Sequence, residues 1–241
     1  MPIELSHSER LRYAARAFGE QQLAERAAAL LETGREDPEF LGYLGGKASP
    51  GVIDGSWPRY WAQSWGARAL EYYWVPSATR SVVAGLDHEA WRVRMVCARV
   101  CAVREIAVPE KLSELTADKN WRVRDAAAWA LGRVGESEHA GALILLSADE
   151  DPKVRERAEA ALKAMAERLD RPVDGLGAEP DPVDELADVE ESAEEEIAEE
   201  AAEDEVVEEV ADDIEADTAA EEEFDPEVGE EAGDGDDPKN S

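Results

Sequence analysis

The sequence predicts an all-α protein, a short α-solenoid of stacked helix pairs followed by a disordered acidic C-terminal tail. Three observations carry that expectation. Trp91-Arg92-Val93-Arg94 recurs as Trp121-Arg122-Val123-Arg124 and more loosely as Pro152-Lys153-Val154-Arg155, at a spacing of about 30 residues. A fixed period in this range marks units that bury their apolar faces only by stacking on one another. Within each unit the apolar residues fall at helical spacing: Val93, Val96, Cys97, Val100 and Cys101 in one, Val123, Ala126, Ala127, Ala130 and Leu131 in the next. Finally, residues 172–241 hold 32 acidic residues against one basic, so the tail carries −31 of the net −33. Such a segment cannot bury enough apolar surface to offset its chain entropy.

Taken in order, Ser6-His7-Ser8-Glu9 has the form of a capping box, and Leu11, Ala14, Ala15 and Phe18 continue a helix from it. Gly19 permits a break, Leu23, Ala27, Leu30 and Leu31 resume the pattern, and Gly34 ends it. Residues 1–35 are therefore expected to form an N-terminal helical cap. Asp37-Pro38 starts the next helix, with the acid as N-cap and proline in the first turn. The stretch from Gly46 to Ser56, rich in glycine, proline and serine, reads as a long loop. An aromatic helix follows, carrying Trp57, Tyr60, Trp61, Trp65, Leu70, Tyr72, Tyr73 and Trp74. Trp61 lies one such period before Trp91, so this helix is the inner member of a degenerate repeat.

Further outer helices are predicted after Pro76 and Pro109 and over Leu143-Ile144-Leu145-Leu146, each followed by an acidic turn at Asp87, Asp118 and Asp149. The solenoid thus spans residues 36–169 as about four helix pairs, and the tail residues 170–241. The tail is read as a solvated polyanion. The alternative is that it folds back on Arg92, Arg94, Arg122 and Arg124 and competes with an acidic partner.

The run Asp118-Lys119-Asn120-Trp121-Arg122-Val123-Arg124-Asp125-Ala126-Ala127-Ala128-Trp129-Ala130-Leu131-Gly132 resembles the HEAT repeat, in the short form of the phycobilin-lyase-type repeats. The resemblance covers roughly residues 76–168. It implies a scaffold or adaptor that binds a protein partner on the inner-helix face. It also implies that Asp87, Arg94, Asp118, Arg124, Asp149 and Arg155 form a hydrogen-bonded ladder between the turns of successive repeats. Asp118 and Arg124, like Asp149 and Arg155, stand six residues apart, and Asp87 and Arg94 seven apart.

Trp91 and Trp121 sit two positions before a buried valine, about 200° around the helix from it, so they point away from the apolar stripe. Trp61 precedes them in the column, and Trp129 shares their side. The column either packs across the seams between repeats or, flanked by Arg92 and Arg122, forms a groove for an unidentified protein or peptide, with the aromatic and Arg anchors usual at binding hot spots.

No catalytic, cofactor-binding or metal-ligating set is predicted. Only His7, His88 and His139 could titrate near neutrality, and Cys97 and Cys101 lack the further ligands of a tetrahedral zinc site. The expectation is a non-enzymatic adaptor. A phycobilin-lyase-type enzyme or accessory factor is the alternative, and a HEAT-like nucleic-acid binder comes third. The near-neutral body and polyanionic tail argue against nucleic acid or an anionic membrane as partner. No apolar run approaches the roughly 20 residues of a membrane span, and no signal peptide is recognisable. A cytoplasmic monomer is the simple expectation.

Overall fold

A computed structural model describes residues 5–170. The tail, and every expectation about it, lies outside these residues. All regular elements described are helical: α1 (His7–Phe18), α2 (Glu20–Thr33), α3 (Pro38–Gly45), α4 (Ser49–Asp54), α5 (Tyr60–Tyr72), α6 (Thr79–Gly85), α7 (Trp91–Arg104), α8 (Pro109–Leu115), α9 (Trp121–Val134), α10 (Ala140–Leu146) and α11 (Pro152–Leu169).

The helices form two layers. The longer helices α2, α5, α7, α9 and α11 each pack on the next, and the short helices α6, α8 and α10 back α7, α9 and α11. Local chemistry explains the ends. Glu9 accepts from the Ser6 backbone N–H at 3.2 Å and from its hydroxyl at 2.9 Å, starting α1. Asp37 accepts from the Phe40 N–H at 2.9 Å and starts α3, and Gly34 closes α2 in the left-handed conformation (φ 62°).

Burial follows the predicted stripes. Val93, Cys97, Val100 and Cys101 on α7 and Val123, Ala127, Ala130 and Leu131 on α9 are fully buried, as is Val154 on α11. Small residues set how closely neighbouring inner helices approach. A Cβ on Gly132 would lie 2.8 Å from the Ala161 Cα, and one on Gly66 2.6 Å from the Ala27 carbonyl oxygen.

The predicted loop at 46–56 is a correction. Gly46–Ala48 form a 3₁₀ turn and Ser49–Asp54 a short helix, with Pro50 in its first turn and Gly55 ending it left-handed at φ 82°. Gly51 serves packing: a Cβ there would collide with the Trp57 ring. The aromatic helix is also shorter than expected. Its regular part begins at Tyr60 and ends at Tyr72, leaving Trp57 and Trp74 outside it.

The last helix among the described residues, α11, has its own chemistry. Laying α11 over α9 so that Lys153 falls on Arg122 places Arg157, Glu159 and Lys163 on Ala126, Ala128 and Gly132. The three small residues of α9 are buried between helices, and the three charged residues of α11 are exposed. The side of α11 that a further helix would cover is therefore charged, as expected of a terminal repeat.

Candidate functional site

Two ladders run across the turns and N-terminal ends of the inner helices. The first is polar. Arg94 donates from Nε and Nη2 to both carboxylate oxygens of Asp118 at 2.8 and 3.1 Å, while its Nη1 donates to the carbonyls of His88 and Glu89, each at 2.7 Å. Arg124 does the same one repeat on: 2.8 Å to each oxygen of Asp149, and 3.0 and 3.3 Å to the carbonyls of Asp118 and Lys119. Each arginine thus braces its own turn through carbonyls and grips the next turn through a carboxylate. The same carboxylates accept the backbone N–H of Asn120 and Asp151, at 2.9 Å each, and so fix the turn conformation. Hydrogen bonds from Arg124, partly offset by burial, hold Asp149 below the usual carboxylate range.

The side-chain partners are staggered relative to the sequence spacing. Arg94 pairs with Asp118 and Arg124 with Asp149, so the residues six apart meet through arginine and main-chain carbonyl, not carboxylate. Arg155 holds the carbonyls of its own turn, Asp149 and Glu150, at 2.7 and 3.1 Å. Asp87 is a correction: it lies outside the ladder and ion-pairs with Lys111. The extra residue in that turn moves His88 to the position three before the tryptophan, which Asp118 holds in the next repeat.

His88 takes over the role. Its Nδ1 accepts the Ala90 N–H at 3.0 Å, as Asp118 accepts that of Asn120, so the proton sits on Nε2 and is donated to the Gln63 oxygen at 3.1 Å. Gln63 in turn donates to the Leu31 carbonyl at 3.0 Å. Burial lowers the His88 pKa, keeping this first rung neutral. Beside it a cleft is lined by Leu31, Glu32, Gln63, Arg80, Ser81 and His88, in which the Ser81 hydroxyl donates to Glu32 at 2.7 Å. Counting back from Trp91 as from Trp121 was the signal that could have found His88. Nothing in the repeat pattern pointed to Gln63 or Glu32.

The second ladder alternates indoles and cations. Arg92 lies over the rings of Trp61 and Trp91 at 4.6 and 4.3 Å, and Arg122 over Trp91 and Trp121 at 5.5 and 4.6 Å. Lys153 lies over Trp121 at 5.3 Å. Trp91 and Trp121 are half-buried against the core, while Trp61 is buried and its Nε1 has no hydrogen-bond partner among the described residues. Trp91 and Trp121 thus pack against the core, and the cation of each following repeat lies over a ring of the one before. Lys153, missed in the sequence reading, stands one repeat after Arg122, in the loosest copy of the phrase.

Trp129 belongs to a separate row one helical turn or two further along, between Arg99 and Arg157 at 5.8 and 6.0 Å; Arg99 also pairs with Glu71, and Arg157 with Asp125. Trp65, one helical turn after Trp61, stands outside the column. Its ring packs on α3, where a Cβ on Gly45 would strike it at 2.4 Å. The two cysteines are buried thiols, with Cys101 pushed up to about 12 by desolvation and Cys97 also raised well above its ordinary value. Among the described residues, no group of three His, Cys, Asp or Glu is placed to hold a metal ion, and no helix is long and apolar enough to cross a membrane.

Helix pairs of near-constant length, tied turn to turn by Asp–Arg bonds and stacked along one continuous interior, define an α-solenoid of the HEAT class. Residues 79–163, from α6 into α11, match the family model for HEAT repeats. Over this stretch the chain carries HEAT repeats. No curated protein matches it.

Proposed function

We propose that this protein is a non-enzymatic adaptor that binds a protein partner on the inner-helix face, along the indole and cation row of Trp61, Arg92, Trp91, Arg122, Trp121 and Lys153. The observation that carries the reading is the row itself. Rigid indoles hold cations at a regular interval, the aromatic and arginine combination that recurs at interface hot spots. The titratable groups favour binding over chemistry. Both thiols are buried with raised pKa values, and His88 has both ring nitrogens engaged. Two buried free thiols also suit a reducing, cytoplasmic setting.

The test is a pull-down with the full chain, comparing wild type with a Trp91→Ala/Trp121→Ala variant, and with Trp91→Phe/Trp121→Phe to keep the core filled. A specific partner should be recovered by wild type, weakened by the Phe pair and lost with the Ala pair, both variants being checked by circular dichroism. A partner retained equally by both folded variants would place binding elsewhere.

A further inference from the structure

The two ladders divide the charge at the turns unequally. Arg94 and Arg124 are spent on Asp118 and Asp149, and Asp151 accepts the Lys153 backbone N–H at 2.8 Å. Asp118, Asp149 and Asp151 are thereby already engaged. Among the described residues, neither Arg122 nor Lys153 has a carboxylate within ion-pair distance; each is held only over indole rings. A guanidinium lying on an aromatic face keeps its N–H edge for a further acceptor. The N-terminal ends of α7, α9 and α11 lie along the same row, and their dipoles add to its positive character.

The interval between cations is set by the fold. Arg92, Arg122 and Lys153 occupy the second position of successive inner helices. Packed helices lie about 8–10 Å apart. An extended chain advances about 3.3 Å per residue, so every third residue of it spans about 10 Å.

Building on the adaptor reading above, we propose that the partner segment is an extended acidic peptide carrying a carboxylate at about every third residue, with successive carboxylates received by Arg122 and Lys153. The indoles hold the cations in register, and the peptide's intervening side chains lie across the helix ends. The net charge of −33 opposes long-range attraction of such a ligand, so the recognition is local and depends on register.

The experiment measures fluorescence-anisotropy binding of two labelled peptides of about 12 residues to the full chain. They have equal composition, one with Glu at every third position and one with all Glu at one end. The periodic peptide should bind about tenfold tighter. Arg122→Gln/Lys153→Gln should abolish that preference, and Lys153→Gln alone, at an exposed position, should reduce it should the double variant prove poorly folded. Raising salt should shrink the gap between wild type and variant. Equal affinity for the two peptides, or a preference that survives the folded variants, overturns the proposal. Tighter binding of a single-stranded oligonucleotide with the same dependence on Arg122 and Lys153 overturns the assignment to carboxylates. Loss of a pulled-down partner with the Trp variants but no periodic-peptide binding leaves the adaptor reading standing and removes this one. Periodic-peptide binding with a partner indifferent to the Trp variants does the reverse.

Discussion

Arg124 shows how one side chain ties two repeats together. It is 7 % exposed, and its fork reaches two carboxylate oxygens of the next turn while its remaining nitrogen holds two carbonyls of its own. Truncation leaves Asp149 nearly buried without its cation and frees the turn at Asp118. Arg124→Ala is therefore expected to cost about 2–4 kcal/mol, more than a surface ion pair would. In a domain of this size that lowers Tm by roughly 5–15 °C. Arg124→Lys should recover only part, since an ammonium cannot serve both carboxylate oxygens in the fork geometry; thermal melts giving both variants a wild-type Tm would remove the ladder from the stability argument. That these arginines and aspartates matter was legible from their recurrence. Their partners were not, because spacing along the chain does not report the stagger between stacked turns, and one inserted residue was enough to exchange Asp87 for His88.

At the level of helices, close approach depends on residues whose value is their lack of a side chain. Gly132→Ala should gain up to about 1 kcal/mol of helix propensity. The new methyl group would meet the Ala161 Cα at 2.8 Å, backbone that can yield only if α9 and α11 separate, at a cost of about 1–3 kcal/mol. A net loss of Tm is expected. Gly141→Ala is the control, since a Cβ there meets nothing within 4 Å and the change should raise Tm by a degree or more; calorimetry of both variants checks the contrast. The same reasoning explains why helix boundaries were legible in one region and not in another. Helices announced by Asp37-Pro38 and Pro109 start where local chemistry says they should. The segment containing α4 read as a loop because Gly51 resembles a breaker, whereas it is small because Trp57 lies on it. Tertiary contact, absent from any local pattern, decided that element.

Across the whole stack, acid sensitivity is graded. Burial depresses the pKa of both His7 and His88, on α1 and in the turn before α7. A histidine held neutral in the fold binds fewer protons than the unfolded chain, so its stabilisation is complete above about 6.5 and is lost progressively as pH falls below that. Protonating His88 also breaks the acceptance of the Ala90 N–H. Asp149 behaves oppositely in range: its lowered pKa gives stability that persists until pH falls below the ordinary carboxylate value of 3.8. Because repeats interact mainly with their neighbours, moving from about pH 7.5 to about pH 5.5, across the ordinary histidine value, should weaken amide-exchange protection in α5 and α6 before α9 and α11. His88→Asn, which keeps an acceptor for the same N–H without titrating, should remove much of that loss; uniform protection at both pH values would contradict the gradient. The opposite end of the stack carries a consequence for growth. Since Glu159 and Lys163 replace the small residues that let α9 and α11 meet, another unit joined after α11 would find charge where it needs contact. Duplicating one repeat ahead of α11 meets no such obstacle, so this architecture lengthens from its middle, each added module bringing one more arginine rung and leaving the terminus to do the sealing.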